Sequence, residues 1–250
     1  MNITNVYRFI KLLIPPIITF QIQKYRRTQH NKKKGLFKPN NSLIESFSQY
    51  QEDLIIDAIF RKEKGFYVDV GANDPKKFSN TNRFYRRGWA GINIEPQPEK
   101  IKLFEKKRNR DINLNIGIGT DFGQLDFYKL EIDTLSTFDK NTAINHCRRF
   151  KTQIKEVINV EVWPLKEVLK KYLTNNQPID FLSIDTEGFD LKVLKSNDWD
   201  LYRPKIVLIE VGKDGNEIVS FLKSHNYELV YKNSCNFFFL DKINGIKIHE

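Results

Sequence analysis

The chain has 250 residues, 40% of them hydrophobic, which is enough to core one large domain or two small ones and excludes disorder throughout. Its formal charge is +10, but residues 1–44 hold nine Lys or Arg and no Asp or Glu, so the other 206 residues carry a net +1. A nearly neutral body argues against a nucleic-acid groove, which needs Lys and Arg gathered on its surface.

In the leader, Lys11 precedes the apolar run Leu12 to Phe20, which contains Pro15 and Pro16 and is followed by a basic stretch ending at Lys34. The run falls short of the ~20 apolar residues a bilayer span needs, the prolines break a helix, and no small-residue cleavage site follows. Two readings stay open for residues 1–41. One is a peripheral segment on an anionic membrane, such as the inner face of the plasma membrane, where each basic residue adds about 1 kcal/mol; the other is a loosely packed extension. Residues 42–250 are expected to form the folded domain. Cys147 and Cys235 make neither a disulfide framework nor a metal-spaced cluster, as expected of reduced cysteines in a cytoplasmic protein.

From Ser42 onward, helices and strands alternate. Leu54, Ile55, Ala58 and Ile59 recur at helical spacing, and Gly65 ends that helix. Strands are predicted at 66–70, 90–95, 112–117, 179–185 and 205–211, each a short apolar run of the kind buried on both faces. Helices are predicted between most of them, at about 80–87, 97–108, 164–173, 189–196 and 215–224, so the plan is a parallel sheet with right-handed crossovers. Residues 124–130 read as an extra strand or hairpin, and 131–157, with no clear strand pattern, as an insertion covering the substrate. Residues 227–241 read as two strands joined near Lys232 to Ser234, a hairpin that demands antiparallel pairing. A mostly parallel seven-stranded α/β sheet ending in an antiparallel hairpin is the Rossmann-like sandwich of class I methyltransferases, and it favours S-adenosylmethionine over NAD.

Ligands in open α/β sheets sit beyond the carboxyl ends of the strands, beside the first one. There the chain reads Asp69, Val70, Gly71, Ala72, Asn73, Asp74, Pro75. Gly71 lets backbone approach a ligand, Asn73 tolerates unusual backbone angles, and Asp69 can accept from loop amides or approach the amino-acid end of a cofactor. Glu95 ends the second strand 24 residues after Gly71, near the spacing at which an acid accepts the two ribose hydroxyls of an adenosine cofactor. No GxGxxG or GxxxxGK[ST] loop is present, which disfavours NAD, FAD and ATP. Asp74 would repel a diphosphate but suits a sulfonium and an amino group.

Taken in order, Ser48 to Phe60 (SQYQEDLIIDAIF), Gly65 to Pro98, Leu135 to Phe138 (LSTF), Ile179 to Leu194 (IDFLSIDTEGFDLKVL) and Pro204 to Val211 (PKIVLIEV) resemble the FkbM family of S-adenosylmethionine-dependent methyltransferases. The resemblance implies O-methylation, associated in similar members with bacterial surface polysaccharides and related glycans, so the expected partner is a glycan or lipid-linked saccharide. It assigns Asp69, Gly71 and Asn73 to the cofactor turn, Glu95 to the ribose, and Asn115 and Asp121 to the approach of the adenine. Asp74 and Pro75 depart from the residues, often with a glycine, that many members carry there.

Asp185, Glu187 and Asp190 cluster at the end of the fourth parallel strand, where carboxylates can take a proton from an attacking hydroxyl. Asp185 is the first candidate for that base and Glu187 the second. Asp185 and Glu210 are candidate ligands for Mg²⁺ or Mn²⁺, as in metal-dependent O-methyltransferases that look similar. The alternative is that these acids cap the next helix and pair with Lys192 or Lys205. Of the four histidines, His146 in the insertion is the candidate base, with a surface or packing role as the alternative. Methylation of a small molecule or protein side chain, and a silent binding module, remain alternatives; a nucleic-acid enzyme is disfavoured because no Asn-Pro-Pro-Tyr-type loop follows the fourth strand.

Overall fold

The computed structural model describes residues 45–60, 62–174, 177–212 and 214–244. The basic leader of residues 1–41 lies outside them, as do His30 and His249. Among the described residues no helix is long and apolar enough to cross a membrane.

The strand runs that look buried on both faces are so. In β1 (Phe66–Val70) every residue is buried, and the period-2 alternation sends Phe66, Val68 and Val70 to one face of the sheet and Tyr67 to the other. β7 (Phe181–Ile184) and β8 (Ile206–Glu210) repeat this division, while β2 (Ala90–Ile94) adds Ile92 and Ile94 to the first face alone, so two apolar layers cover one sheet. The first layer is closed by α5 (Leu165–Tyr172), α6 (Asp190–Lys195) and α7 (Gly215–Ser224) through Leu165, Val168, Val193, Ile218 and Leu222. The second is closed by α1 (Glu52–Phe60) and α2 (Asn82–Arg86), which bring Ile56, Ile59 and Phe84 against Trp89 and Phe181.

With β3 (Ile112–Leu114), β9 (Tyr227–Lys232) and β10 (Asn236–Asp241), the sheet has seven strands in the order β3-β2-β1-β7-β8-β10-β9. β1 pairs parallel with β2 and β7, β7 pairs parallel with β8, and β10 runs antiparallel to both β8 and β9. The order reverses beside β1, so the carboxyl ends of β1, β2 and β7 open a crevice at the switch point. This is the expected class I arrangement. On the β2 side of the crevice, α3 (Pro98–Lys107) packs Ile101 and Phe104 against Ala72.

Two expectations change. The third strand ends at Leu114, short of Gly117, and the chain leaves for a second, three-stranded sheet of order β4-β6-β5. There β4 (Gly117–Ile118) pairs parallel with β6 (Ile154–Trp163), and β5 (Gly123–Leu130) pairs antiparallel with it from Gly123 opposite Val162 to Leu130 opposite Ile154. The segment that reads as patternless thus holds all of α4 (Lys140–Phe150) and the start of β6. β6 presents Ile158, Val160 and Val162 at alternate positions, but Lys155 and Glu156 interrupt its start, as one solvated face of a two-layer ribbon permits.

Candidate active site

The turn after β1 is shaped by its own neighbours. Gly71 sits at φ +78°, and a Cβ there would stand 1.9 Å from the carbonyl oxygen of Asp185. The close approach of the β7 exit by itself therefore requires glycine here. The Asp185 N–H donates to the Val70 carbonyl at 3.0 Å, and the Gly71 and Ala72 N–H groups donate to the Ile94 carbonyl at 3.0 and 3.2 Å, so three strand ends are pinned together.

Asn73 follows at φ 49°, donating its N–H to Glu95 Oε2 at 2.8 Å, while Gln97 donates its N–H to Oε1 at 2.9 Å. Glu95 lines the cavity although it is only 2% exposed. Burial outweighs the two amides and pushes its carboxyl up to about 7. Asn115 Nδ2 donates to the carbonyls of Glu95 and Pro96 at 3.0 Å each, bracing this turn from the β3 side. Neither Asn115 nor Asp121 lines the cavity.

The loop from Asp74 to Thr81 is held from beneath. Asp74 Oδ1 accepts from the N–H groups of Lys76 and Lys77 at 2.8 Å each, and it does not line the cavity, so the residue out of pattern builds an Asx turn. Arg108, 1% exposed, donates from Nε to the Pro75 carbonyl at 3.0 Å, from Nη2 to Ser79 Oγ at 2.7 Å and from Nη1 to Thr81 Oγ1 at 2.7 Å. Thr81 passes its hydroxyl on to Asp69 Oδ2 at 2.7 Å. Asp69 thus takes side-chain hydroxyls and no loop amide, and burial raises its pKa.

Past β7, Glu187 and Gly188 occupy left-handed backbone at φ 51° and 89°, and Thr137 Oγ1 donates to the Glu187 carbonyl at 2.8 Å. A non-glycine residue held there is strained, and strain of this kind gathers at functional sites. Asp185, Glu187 and Glu210 each bring a carboxylate oxygen within 4.8 Å of the others. The Asp185 side chain is open to the cavity yet recessed among protein atoms. Burial raises all three carboxyls; repulsion from Asp185 and Asp190 adds to this for Glu187 and Glu210, and repulsion from Asp190 and Asp69 for Asp185, whose hydrogen bond with Glu210 acts the other way. Asp190 opens α6 without capping it and instead braces the turn before it: its Oδ1 accepts from the N–H and hydroxyl of Thr186 at 2.9 Å each, and its Oδ2 from the Gly188 N–H at 3.1 Å. Lys205 pairs with Asp180 at 3.0 Å and Lys192 lies over the Phe189 ring, so neither takes the partnership with Asp185 or Glu210 considered for it.

His146 belongs to this cluster. α4 starts at an Asp139 cap, whose Oδ1 accepts from the Thr142 N–H at 2.7 Å, and it stops at Lys151 with φ 53°. His146 Nδ1 lies 3.1 Å from the Leu135 carbonyl, which assigns the proton to Nδ1, and Nε2 lies 3.6 Å from Glu187 Oε2.

A cavity of about 770 Å³ covers these strand ends. Its lining includes Asp69, Gly71, Asn73 and Glu95 together with His146, Asp185, Glu187 and Glu210. Sequence reasoning passed over further walls, from Gln49 and Tyr50 before α1, from Ser234 and Cys235 in the β9–β10 turn, and from Thr142, Asn145 and Phe150 beside His146 on α4. The spacing of Thr142, Asn145, His146, Arg149 and Phe150, on one helical face, is the signal that could have found the last of these.

The family described as the methyltransferase FkbM domain matches residues 69–229. No curated protein matches the chain. Among solved structures, a precorrin 8w decarboxylase from Methanobacterium thermoautotrophicum aligns at 14% identity and TM-score 0.41, over 82% of this chain and 96% of its own. A precorrin-6y C5,15-methyltransferase from Geobacter metallireducens GS-15 aligns at 12% identity and TM-score 0.37, over 81% and 92%.

Proposed function

The chain belongs to the FkbM family of S-adenosylmethionine-dependent methyltransferases, and we propose that it methylates a sugar hydroxyl of a cell-surface glycan or of its lipid-linked precursor. The residues present fit the cofactor. Asn73 Oδ1 is buried on the cavity with no partner among the described residues, Glu95 faces the same space, and the carboxylates on its walls suit a cation. Bound there, S-adenosylmethionine supplies an electrophilic methyl group on its sulfonium.

The observation that carries the hydroxyl as acceptor is the His146–Glu187 pair. A neutral imidazole protonated on Nδ1 keeps its Nε2 lone pair toward the cavity, and this atom takes the proton as a hydroxyl attacks the methyl group. Glu187, 3.6 Å away, flanks the imidazolium and in its ionised form offsets that charge. Asp185, the first candidate from sequence, lies beside the pair and orients the hydroxyl. A free amine nucleophile needs no such base once deprotonated, whereas an alcohol gains from one.

A second reading adds a divalent ion. Three carboxylates with oxygens within 4.8 Å are hard donors that fit Mg²⁺ or Mn²⁺, and Asp185, Glu187 and Glu210 would hold it, lowering the pKa of the acceptor hydroxyl. Turnover unchanged by EDTA removes this reading and leaves the first. In both, residues 1–41 bring the enzyme to membrane-held acceptors; unchanged vesicle co-sedimentation after deletion of residues 1–38 refutes that part.

The test is incubation with methyl-labelled S-adenosylmethionine and separate glycan, small-molecule and protein fractions. The proposal expects label in the glycan fraction as an alkali-stable ether. Label confined to the protein or small-molecule fraction overturns it.

A further inference from the structure

The face that α4 turns to the cavity is unusual for a helix packed on a domain. Thr142, Asn145, His146, Arg149 and Phe150 recur at the spacing of one face and all line the cavity, while the buried residue of this helix is Ala143. A helix serving only to close the domain would put aliphatic side chains there. This one presents an amide, an imidazole, a guanidinium and an aromatic ring.

Arg149 is out of keeping with its surroundings. The lining carries carboxylates at Asp69, Glu95, Asp133, Asp185, Glu187 and Glu210, and Arg149 is its one Lys or Arg among the described residues. No ion pair joins it to any of the six. Asp133 pairs with Lys100, Asp69 takes Thr81, and Glu187 faces His146. The Arg149 guanidinium carbon instead lies 5.1 Å from the centroid of the Phe150 ring. Such a contact holds the plane of the group while its N–H edges stay available for a bidentate anion.

The rings around it point to what carries that anion. Tyr50, Phe78 and Phe150 are 44%, 51% and 42% exposed, they come from three separate segments, and all three line the cavity. Exposed rings at the wall of a polar cavity offer flat apolar surface to the C–H face of a pyranose, whose hydroxyls meet the polar groups between them.

We propose that the acceptor is an anionic sugar, its carboxylate or phosphate bound by Arg149 and its ring packed on Phe150. This rests on the reading of the cavity as a glycan methyltransferase site and narrows the substrate class. It also explains how an acid-lined cavity admits a negatively charged acceptor. The anion meets the one basic side chain on α4, and the hydroxyl to be methylated is directed to His146.

The test is binding by saturation-transfer difference NMR on the full chain saturated with S-adenosylhomocysteine. The probes are methyl glucuronide, glucose 6-phosphate and neutral methyl glucoside. At least one anionic sugar should bind about tenfold tighter than the neutral one, worth ~1.4 kcal/mol; preference for the glucuronide assigns a carboxylate and preference for the phosphate a phosphate. Arg149→Ala should abolish the preference, Arg149→Lys should restore part of it, and Phe150→Leu should weaken all three sugars, with S-adenosylhomocysteine affinity unchanged throughout. Anionic sugars binding no tighter than methyl glucoside, or a preference that survives Arg149→Ala, overturns the proposal. A wild-type chain that binds no S-adenosylhomocysteine defeats the methyltransferase reading itself, a separate result seen before any sugar is added.

Discussion

His146 Nε2 stands 3.6 Å from Glu187 Oε2, across a gap of 41 residues in the chain. One comes from a helix in the inserted segment and the other from a strained turn at the end of β7, so the cavity is complete only when insertion and sheet are both in place. His146→Ala and Glu187→Gln should each lower kcat by roughly 10²–10⁴-fold, the usual worth of a general base. Cofactor affinity should stay unchanged in both. A single-turnover assay beside a binding titration separates the effects, and full turnover in either variant would remove the pair from the chemistry.

Gly71 carries a steric demand that can be measured apart from activity. A methyl group at this position would meet the Asp185 carbonyl at 1.9 Å in left-handed backbone. Gly71→Ala should cost at least about 2 kcal/mol, seen as a lower Tm. Gly123→Ala, with no atom within 4 Å of the added methyl, is the control and should leave Tm unchanged.

Arg108 lies beneath the cofactor loop and among buried acids. It donates to Pro75, Ser79 and Thr81 and offsets the charge of Asp69 and Asp111. Arg108→Met should cost about 3–5 kcal/mol, since it leaves buried carboxylates without their cation. Hydrogen exchange across 74–81 should rise, and Arg108→Lys should recover the charge without the three-way geometry. Unchanged exchange in the Met variant would refute the role.

The pH dependence follows from carboxyls of the cavity wall whose folded pKa lies above the unfolded value. Glu95 moves from 4.5 to about 7, and Asp185, Glu187 and Glu210 move in the same direction. Between the two pKa values the folded state holds more protons than the unfolded one, so stability falls as pH rises. Thermal melts of the cofactor-free protein should show Tm dropping from about pH 5 to about pH 8, with a shallower slope in Glu210→Gln. A Tm that rises across this window would contradict the raised pKa values of these acids.

The parallel strands are legible in the sequence because burial on both faces leaves continuous apolar runs, and the hairpin because two strand-like runs flank a turn near Lys232 to Ser234. Gly71, Asn73 and Glu95 are legible for a related reason: a strand end and a turn fix where they lie. β6 is less so, because a ribbon with one wet face tolerates Lys155 and Glu156 where a buried strand would not. Asn115 and Asp121 illustrate the limit of reading position from order alone. The strand that should carry them to the cavity ends at Leu114, and Asn115 turns its amide back onto Glu95 and Pro96. The His146–Glu187 contact depends on how the insertion folds over the sheet, which no local pattern encodes.

The division of the cavity between a cofactor turn and a proton-accepting pair is tested most directly by calorimetric titration of S-adenosylmethionine into the wild type, Glu95→Ala and Glu187→Gln, with methyl transfer to the glycan fraction measured on the same samples. Glu95→Ala removes a carboxylate that faces the cavity and takes the Asn73 and Gln97 amides. With about 1.5–3 kcal/mol for each hydrogen bond to a charged group, it should weaken binding at least tenfold. Glu187→Gln should bind as the wild type does and transfer almost nothing. Binding retained in Glu95→Ala and lost in Glu187→Gln would contradict the account.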